Sequence, residues 1–220
     1  YRVYDRLARS EMGNVYRAVH AELDHPVSLK VFSSSLEQQP VLMTRMQREA
    51  RASVELDHPN VLRIFQVGRA GSIYFLASQN LTGESLEDWL KRDGRLALVP
   101  ACKVIRQAAL GLAHIHEKCM VHRNICPANL WVNDQGMVKI VGLDCVRDTD
   151  GSFGIEDPRG AQTSVLGELD DMAPEQAAHP EQTDPRSDVY SLGCVLYRCL
   201  TGAPPFGERR KVADVTSVAT

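Results

Sequence analysis

The chain has 220 residues, with 25 Lys and Arg against 28 Asp and Glu for a net charge of −3, and only 6% aromatic residues. That length suits one large domain or two small lobes sharing a cleft, with ample size for a hydrophobic core. Balanced charge argues against a generic polyanion-binding surface, and the few aromatics give no stacking platform, so no nucleic-acid partner is expected.

The cysteines are Cys102, Cys119, Cys126, Cys145, Cys194 and Cys199. None form a Cys-x-x-Cys pair and no histidine lies at zinc-ligand spacing from them, so they read as reduced thiols in a cytoplasmic protein. Cys194 and Cys199 fall in an apolar run and read as small core residues. No stretch approaches the ~20 apolar residues that span a membrane, so a membrane is not crossed through this segment. The first residue is Tyr1 rather than Met, which suggests a domain from a longer protein, with any membrane anchor elsewhere in that parent.

In chain order, Tyr1–Leu7, Asn14–Val19 and Val27–Phe32 are short β-rich runs separated by turn signals such as Gly13 and His25-Pro26. A helix is expected from Val41 to Glu55. On it Leu42, Met46, Glu49, Ala50 and Ser53 share one stripe, so Glu49 faces inward and needs a cation, because an unpaired buried charge is expensive. Strands are expected at Val61–Val67 and Ile73–Ser78, completing a small first lobe over about residues 1–80.

Beyond Gly83 the pattern turns helical. Ser85–Arg92 has Glu87 and Asp88 in its first turn, where the helix dipole favours acids. Pro100–Lys118 repeats Val104, Ala108, Leu112 and Ile115 at helical spacing. Short strands at Leu130–Val132 and Val138–Val141 flank the turn at 133–136. Arg147–Asp171 reads as a long polar loop containing Thr149, Ser152, Thr163 and Ser164. Val189–Leu200 reads as a buried helix.

The segment Val121-His122-Arg123-Asn124-Ile125-Cys126-Pro127-Ala128-Asn129 carries the strongest motif. With Met172-Ala173-Pro174-Glu175-Gln176 and Asp188-Val189-Tyr190-Ser191-Leu192-Gly193, it resembles bacterial, eukaryotic-like serine/threonine protein kinases. The resemblance runs from Tyr1 to about Phe206. It implies an α+β, bilobal protein-kinase-like fold, with a β-rich first lobe and a mainly helical second lobe over about 81–220 whose final helices lie outside this segment.

The resemblance also implies roles. Lys30 matches the strand lysine that grips nucleotide phosphates, with Glu49 its partner; by itself Lys30 reads as a solvated strand lysine. Val15 would lie over the adenine and Ser28 replaces a small apolar residue of the pocket ceiling. Trp131 stands at the pocket floor, where its indole either stacks on a base or, the preferred reading, fills the space itself. Asn129 matches one magnesium ligand, and Arg123 could pair with acidic or phosphorylated groups in the following loop. Asp188 would anchor the catalytic loop from below, and Glu175 would pair with an arginine beyond Thr220.

Several positions depart from the family pattern. Asn124 stands where the proton-accepting aspartate belongs, and an amide has no basic lone pair at neutral pH. Cys126 replaces the lysine that helps neutralise the transferring phosphoryl group. Gly142-Leu143-Asp144 occupies the Asp-Phe-Gly positions, so glycine replaces the chief magnesium ligand. Asp144 reads as a solvated loop residue, reaching the cleft only through a shift of register. Ala8 and Ser10 replace two glycines of the phosphate loop, Glu11 adds negative charge, and Glu168 replaces a substrate-positioning threonine. ATP and magnesium are therefore expected to bind weakly or not at all. The leading expectation is a pseudokinase acting through other proteins in a signalling assembly. The alternative is an active serine/threonine kinase using Lys30, Glu49, Asn129 and a displaced Asp144.

Overall fold

The computed structural model describes residues 1–10, 12–33, 36–151, 153, 169–179 and 183–207. Glu11, Ser152, Thr163, Ser164 and Glu168 lie outside the described residues, as does most of the expected loop.

Three β-rich runs form β1 (Arg2–Ser10), β2 (Gly13–Val19) and β3 (Pro26–Phe32), followed by α1 (Pro40–Glu55), β4 (Ile64–Ala70) and β5 (Ile73–Gln79). The strands make one sheet in the order β1-β2-β3-β5-β4, with antiparallel neighbours. Alternation along β3 decides what each face carries. Val27 and Leu29 pack with Ala18 and Ala77 on one side. Phe32 joins Met12, Leu36, Leu42, Met46 and Leu76 on the other, against α1. Lys30 and Ser28 share the Phe32 face by the same period of two.

Helix α1 starts at Pro40, whose fixed φ suits a first helical position, and buries Leu42, Met46 and Glu49 as the stripe predicts. Ala52 is buried as well, while Ala50 and Ser53 are only half-buried. The strand expected from Val61 begins instead at Ile64. Val61 makes an isolated parallel bridge to Ile140, and Leu62 N–H donates to the Ile140 carbonyl at 2.8 Å. Backbone pairing thus ties the segment after α1 to the second lobe, which a strand signal alone does not reveal.

The second lobe contains β6 (Glu84–Ser85), α2 (Leu86–Asp93), α3 (Leu98–Glu117), β7 (Met120–Val121), β8 (Leu130–Val132), β9 (Val138–Ile140), β10 (Arg147–Asp148), α4 (Pro174–Ala178) and α5 (Pro185–Thr201). Ser85 caps α2 rather than lying within it, its hydroxyl accepting the Asp88 N–H at 3.0 Å. On α3 the expected Val104, Ala108, Leu112 and Ile115 are all buried, and they sit in the largest core cluster with Leu130, Val138, Ile140 and Val195.

Three expectations need correction. The polar run after Arg147 is not loop at its start, because β10 pairs with β7. Its end is not loop either: Leu169–Asp171 is a 3-10 turn in which Asp171 is buried, 3.8 Å from Arg198. Helix α5 begins four residues before Val189, capped by Asp184, and Val189 and Tyr197 are exposed. Its buried face is Ser187, Asp188, Ser191, Leu192, Cys194, Val195 and Cys199. Small and polar residues carry half of that face, so an apolar-run criterion misses its start.

Candidate functional site

The loop between β7 and β8 is held from beneath by Asp188 of α5. Its Oδ2 accepts the His122 N–H and its Oδ1 the Arg123 N–H, both at 2.8 Å, and Oδ2 also meets His116 Nε2 at 2.8 Å. Arg123 adopts φ 63°, a left-handed conformation that a β-carbon disfavours, and these contacts hold it there. Gln176 Nε2 donates to the Arg123 carbonyl at 2.6 Å, so α4 closes the loop from the far side. The expected role of Asp188 as anchor has a geometric basis, and the contact from Gln176 adds a second support that the sequence did not point to.

His122 is fully buried. Its Nδ1 accepts the Asn124 N–H at 3.3 Å, so Nε2 carries the proton and donates to the Val141 carbonyl at 3.0 Å. Burial pushes its imidazole below the ordinary value, against the opposing charge of Asp188. His122 is therefore a neutral strut between the loop and the segment leaving β9.

At the base position, the Asn124 amide donates to Cys145 Sγ at 3.9 Å. Burial pushes that thiol up to about 12, so its partner is a neutral sulfur rather than a base. Arg123 does not reach a carboxylate through its Nε, which donates to the Cys145 carbonyl at 2.9 Å. Cys126 is buried, with its carbonyl accepting the Asn129 N–H at 3.0 Å. No ammonium stands where the resemblance calls for one.

From the first lobe, Lys30 Nζ and Glu49 Oε2 lie 2.7 Å apart, with side chains 17% and 6% exposed. The solvated reading of Lys30 is set aside. Burial alone would lower this ammonium; the facing charges of Glu49 and Asp144 outweigh it, and its pKa is raised. Val15 is paired across the sheet with Lys30 and so presents its side chain on the same face. Ser28 Oγ donates to Asn80 Oδ1 at 3.3 Å, tying the sheet to the segment that joins the lobes.

Asp144 is the clearest correction. It is buried at 6% exposure, not solvated, and its Oδ2 accepts from Arg45 Nε of α1 at 2.7 Å. Helix α1 packs on the turn Leu143–Cys145, which carries the carboxylate inward. Burial alone would raise its pKa, but the charges of Lys30 and Arg45 hold it below the usual carboxylate range. Arg45 went unnoticed in the sequence because its partner is 99 residues away. Met12 was also missed: it is buried, with Sδ 3.9 Å from Lys30 Nζ, so an apolar side chain occupies space beside the lysine.

Trp131 sits on β8 between buried Leu130 and Val132 and is itself half-buried. Its indole N–H donates to the Thr82 carbonyl at 2.8 Å, fixing the ring's polar edge to the interlobe segment. Glu175, expected to meet a distant arginine, accepts from the buried Ser187 hydroxyl at 2.8 Å.

Comparison with known proteins shows the family to which the chain belongs. Residues 1–219 match the protein kinase domain family. The chain belongs to the protein kinase family. Among its relatives are the serine/threonine-protein kinase PknB of Mycobacterium leprae, 32% identical, and PrkC of Bacillus subtilis, also 32% identical. Each alignment covers 94% of this chain, and 33% and 31% of the respective relative. The kinase PknA of Mycobacterium tuberculosis is 33% identical over 94% of this chain and 48% of its own length. The chain thus spans about a third of the length of the first two relatives.

Kinases of this family use ATP with magnesium. Magnesium demands near-octahedral oxygen coordination, usually with one or two carboxylates. Here Gly142 has no side chain and Asp144 is held by Arg45, while Asn129, whose Nδ2 donates to the Asn124 carbonyl at 2.8 Å, offers only the neutral oxygen Oδ1. This donor set does not fit magnesium.

Proposed function

We propose that this kinase-fold segment, residues 1–220, is a pseudokinase that acts by binding and conformation, with weak or no phosphoryl transfer. One observation carries the reading. Asn124, at the position of the proton acceptor, is an amide that donates to the neutral thiol of Cys145. A general base is worth ~10²–10⁴-fold in rate, and electrostatic stabilisation by metal and cations often contributes more. The loss of base, chief metal ligand and loop lysine together puts transfer far below a useful rate. In this reading Lys30 and Glu49 chiefly keep α1 in register with the sheet, and the partners are other proteins of a cytoplasmic signalling assembly. Among the described residues no helix is long and apolar enough to cross a membrane.

A second reading has one observation in its favour. Asp144 lies close enough to Lys30 for its charge to act on it, as a displaced metal ligand would. That reading is an active serine/threonine kinase with an unorthodox site. Incorporation of γ-³²P from ATP by the full-length parent, with Lys30→Ala as control, separates the two. Lys30-dependent incorporation favours the enzyme, and its absence, with folded protein, favours the pseudokinase.

A further inference from the structure

The cleft contains four charges in mutual reach. Lys30 and Arg45 bring two cations, and Glu49 and Asp144 two anions, so the group is neutral as it stands. The Asp144 charge acts on both Lys30 and Glu49, and so does that of Arg45. Arg45 precedes Glu49 by four residues on α1, the spacing that puts two side chains on one helix face. Helix α1 therefore delivers its cation and its anion to the cleft together.

Both Nε and the Nη2 nitrogen of Arg45 engage the same oxygen, Asp144 Oδ2, with side chains only 15% and 9% exposed. A metal entering here must displace a guanidinium, which stays charged at every accessible pH and makes strong charge-assisted bonds. It would find little compensation. Asn129 faces Gly142, where a β-carbon would come within 2.7 Å of its Oδ1, so a carboxylate at 142 would require the Asn129 side chain to shift.

We propose that Arg45 takes the place of the divalent cation in this cleft: its guanidinium neutralises Asp144 and keeps the 142–145 turn closed to metal. This goes beyond the pseudokinase reading by naming the group responsible for excluding magnesium, and it is tested without any assay of transfer. A permanently bound side-chain cation also links α1 to the turn. Removing the guanidinium frees Asp144 Oδ2, the oxygen that Arg45 occupies.

The test uses Mn²⁺ as probe, with free ion followed by electron paramagnetic resonance on the 220-residue chain. Wild type and Asp144→Asn should bind Mn²⁺ equally, through surface carboxylates alone. Arg45→Gln and Arg45→Met should each gain a site roughly tenfold or more tighter than that background. The double variant Arg45→Gln/Asp144→Asn should lose the gain. No gain in a folded Arg45 variant overturns the proposal, as does any fall in Mn²⁺ binding when Asp144→Asn is made in the wild type. That last comparison decides the matter even where loss of Arg45 prevents folding. Phosphoryl transfer by the wild type would sink the pseudokinase reading, while the Mn²⁺ comparison would still judge Arg45 on its own.

Discussion

A β-carbon on Gly142 would fall 2.7 Å from Asn129 Oδ1, so these two positions compete for one volume. Gly142 also holds φ 78°, a left-handed conformation that suits glycine. Restoring the family aspartate by Gly142→Asp therefore meets both strain and collision. The expected outcome is a loss of ~1–3 kcal/mol in urea unfolding, and no magnesium-dependent rise in Tm with ATP. A variant that is as stable as wild type and gains such a rise would show that Asn129 yields easily.

Lys30 and Glu49 form a buried pair, and breaking one side strands the other. Lys30→Met should cost about 3–5 kcal/mol, because Glu49 keeps its charge or takes up a proton without its partner. Lys30→Met/Glu49→Leu should recover much of that loss, since an apolar pair removes the desolvation penalty from both sides. Equilibrium unfolding of the single and double variants gives the coupling directly. A double variant worse than Lys30→Met alone would mean that the two residues act through other neighbours.

How far the sequence reveals this site depends on the range of each interaction. The stripe of Leu42, Met46 and Glu49 follows from a helical period, and it pointed to a cation for Glu49 before any coordinates. The anchor Asp188 was legible through its motif. Asp144 was not, because its neighbours read as an ordinary turn and its burial is imposed by α1 from a distant part of the chain. Met12 was hidden for a related reason. Gly13 read as a turn signal and as the one retained glycine of the phosphate loop, whereas a β-carbon there would meet the Val31 carbonyl oxygen at 2.1 Å. That close approach of the two backbones helps set Met12 beneath the sheet, and close approach is a tertiary fact.

The thiols should divide into reactive and silent groups. Cys102 and Cys119 are exposed, whereas Cys126, Cys194 and Cys199 are buried. Burial pushes the Cys145 thiol up to about 12 and that of Cys199 up to about 11, far from the thiolate form at neutral pH. Iodoacetamide at pH 8 should label Cys102 and Cys119 quickly and the other four only on unfolding, read by peptide mass spectrometry. Cys145 is half-buried and engaged by the Asn124 amide, and its rapid labelling in the native protein would contradict the Asn124–Cys145 contact.

Acid should weaken this fold well before its carboxylates titrate. His122 is buried and neutral, with both ring nitrogens engaged, and burial lowers its pKa. His58 is shifted the same way, first by burial and then by the charges of His114 and Lys139, against an opposing contribution from Glu117. The ring of His58 stacks on His114 at 5.3 Å, and its Nδ1 accepts the Asn60 N–H at 3.1 Å. Both histidines bind protons more readily in the unfolded chain, whose ordinary value is near 6.5. Their contribution is thus complete above that value and is lost as pH falls from 6.5 through the lowered folded values. The fully buried His122 contributes more to this slope than the less buried His58. Urea midpoints at pH 7.5, 6.5 and 5.5 should fall in that order, with His58→Gln reducing the slope. Nitrogen-15 shifts of His122 should still report the neutral Nε2–H tautomer at pH 6, and a protonated imidazole there would remove the basis for the prediction.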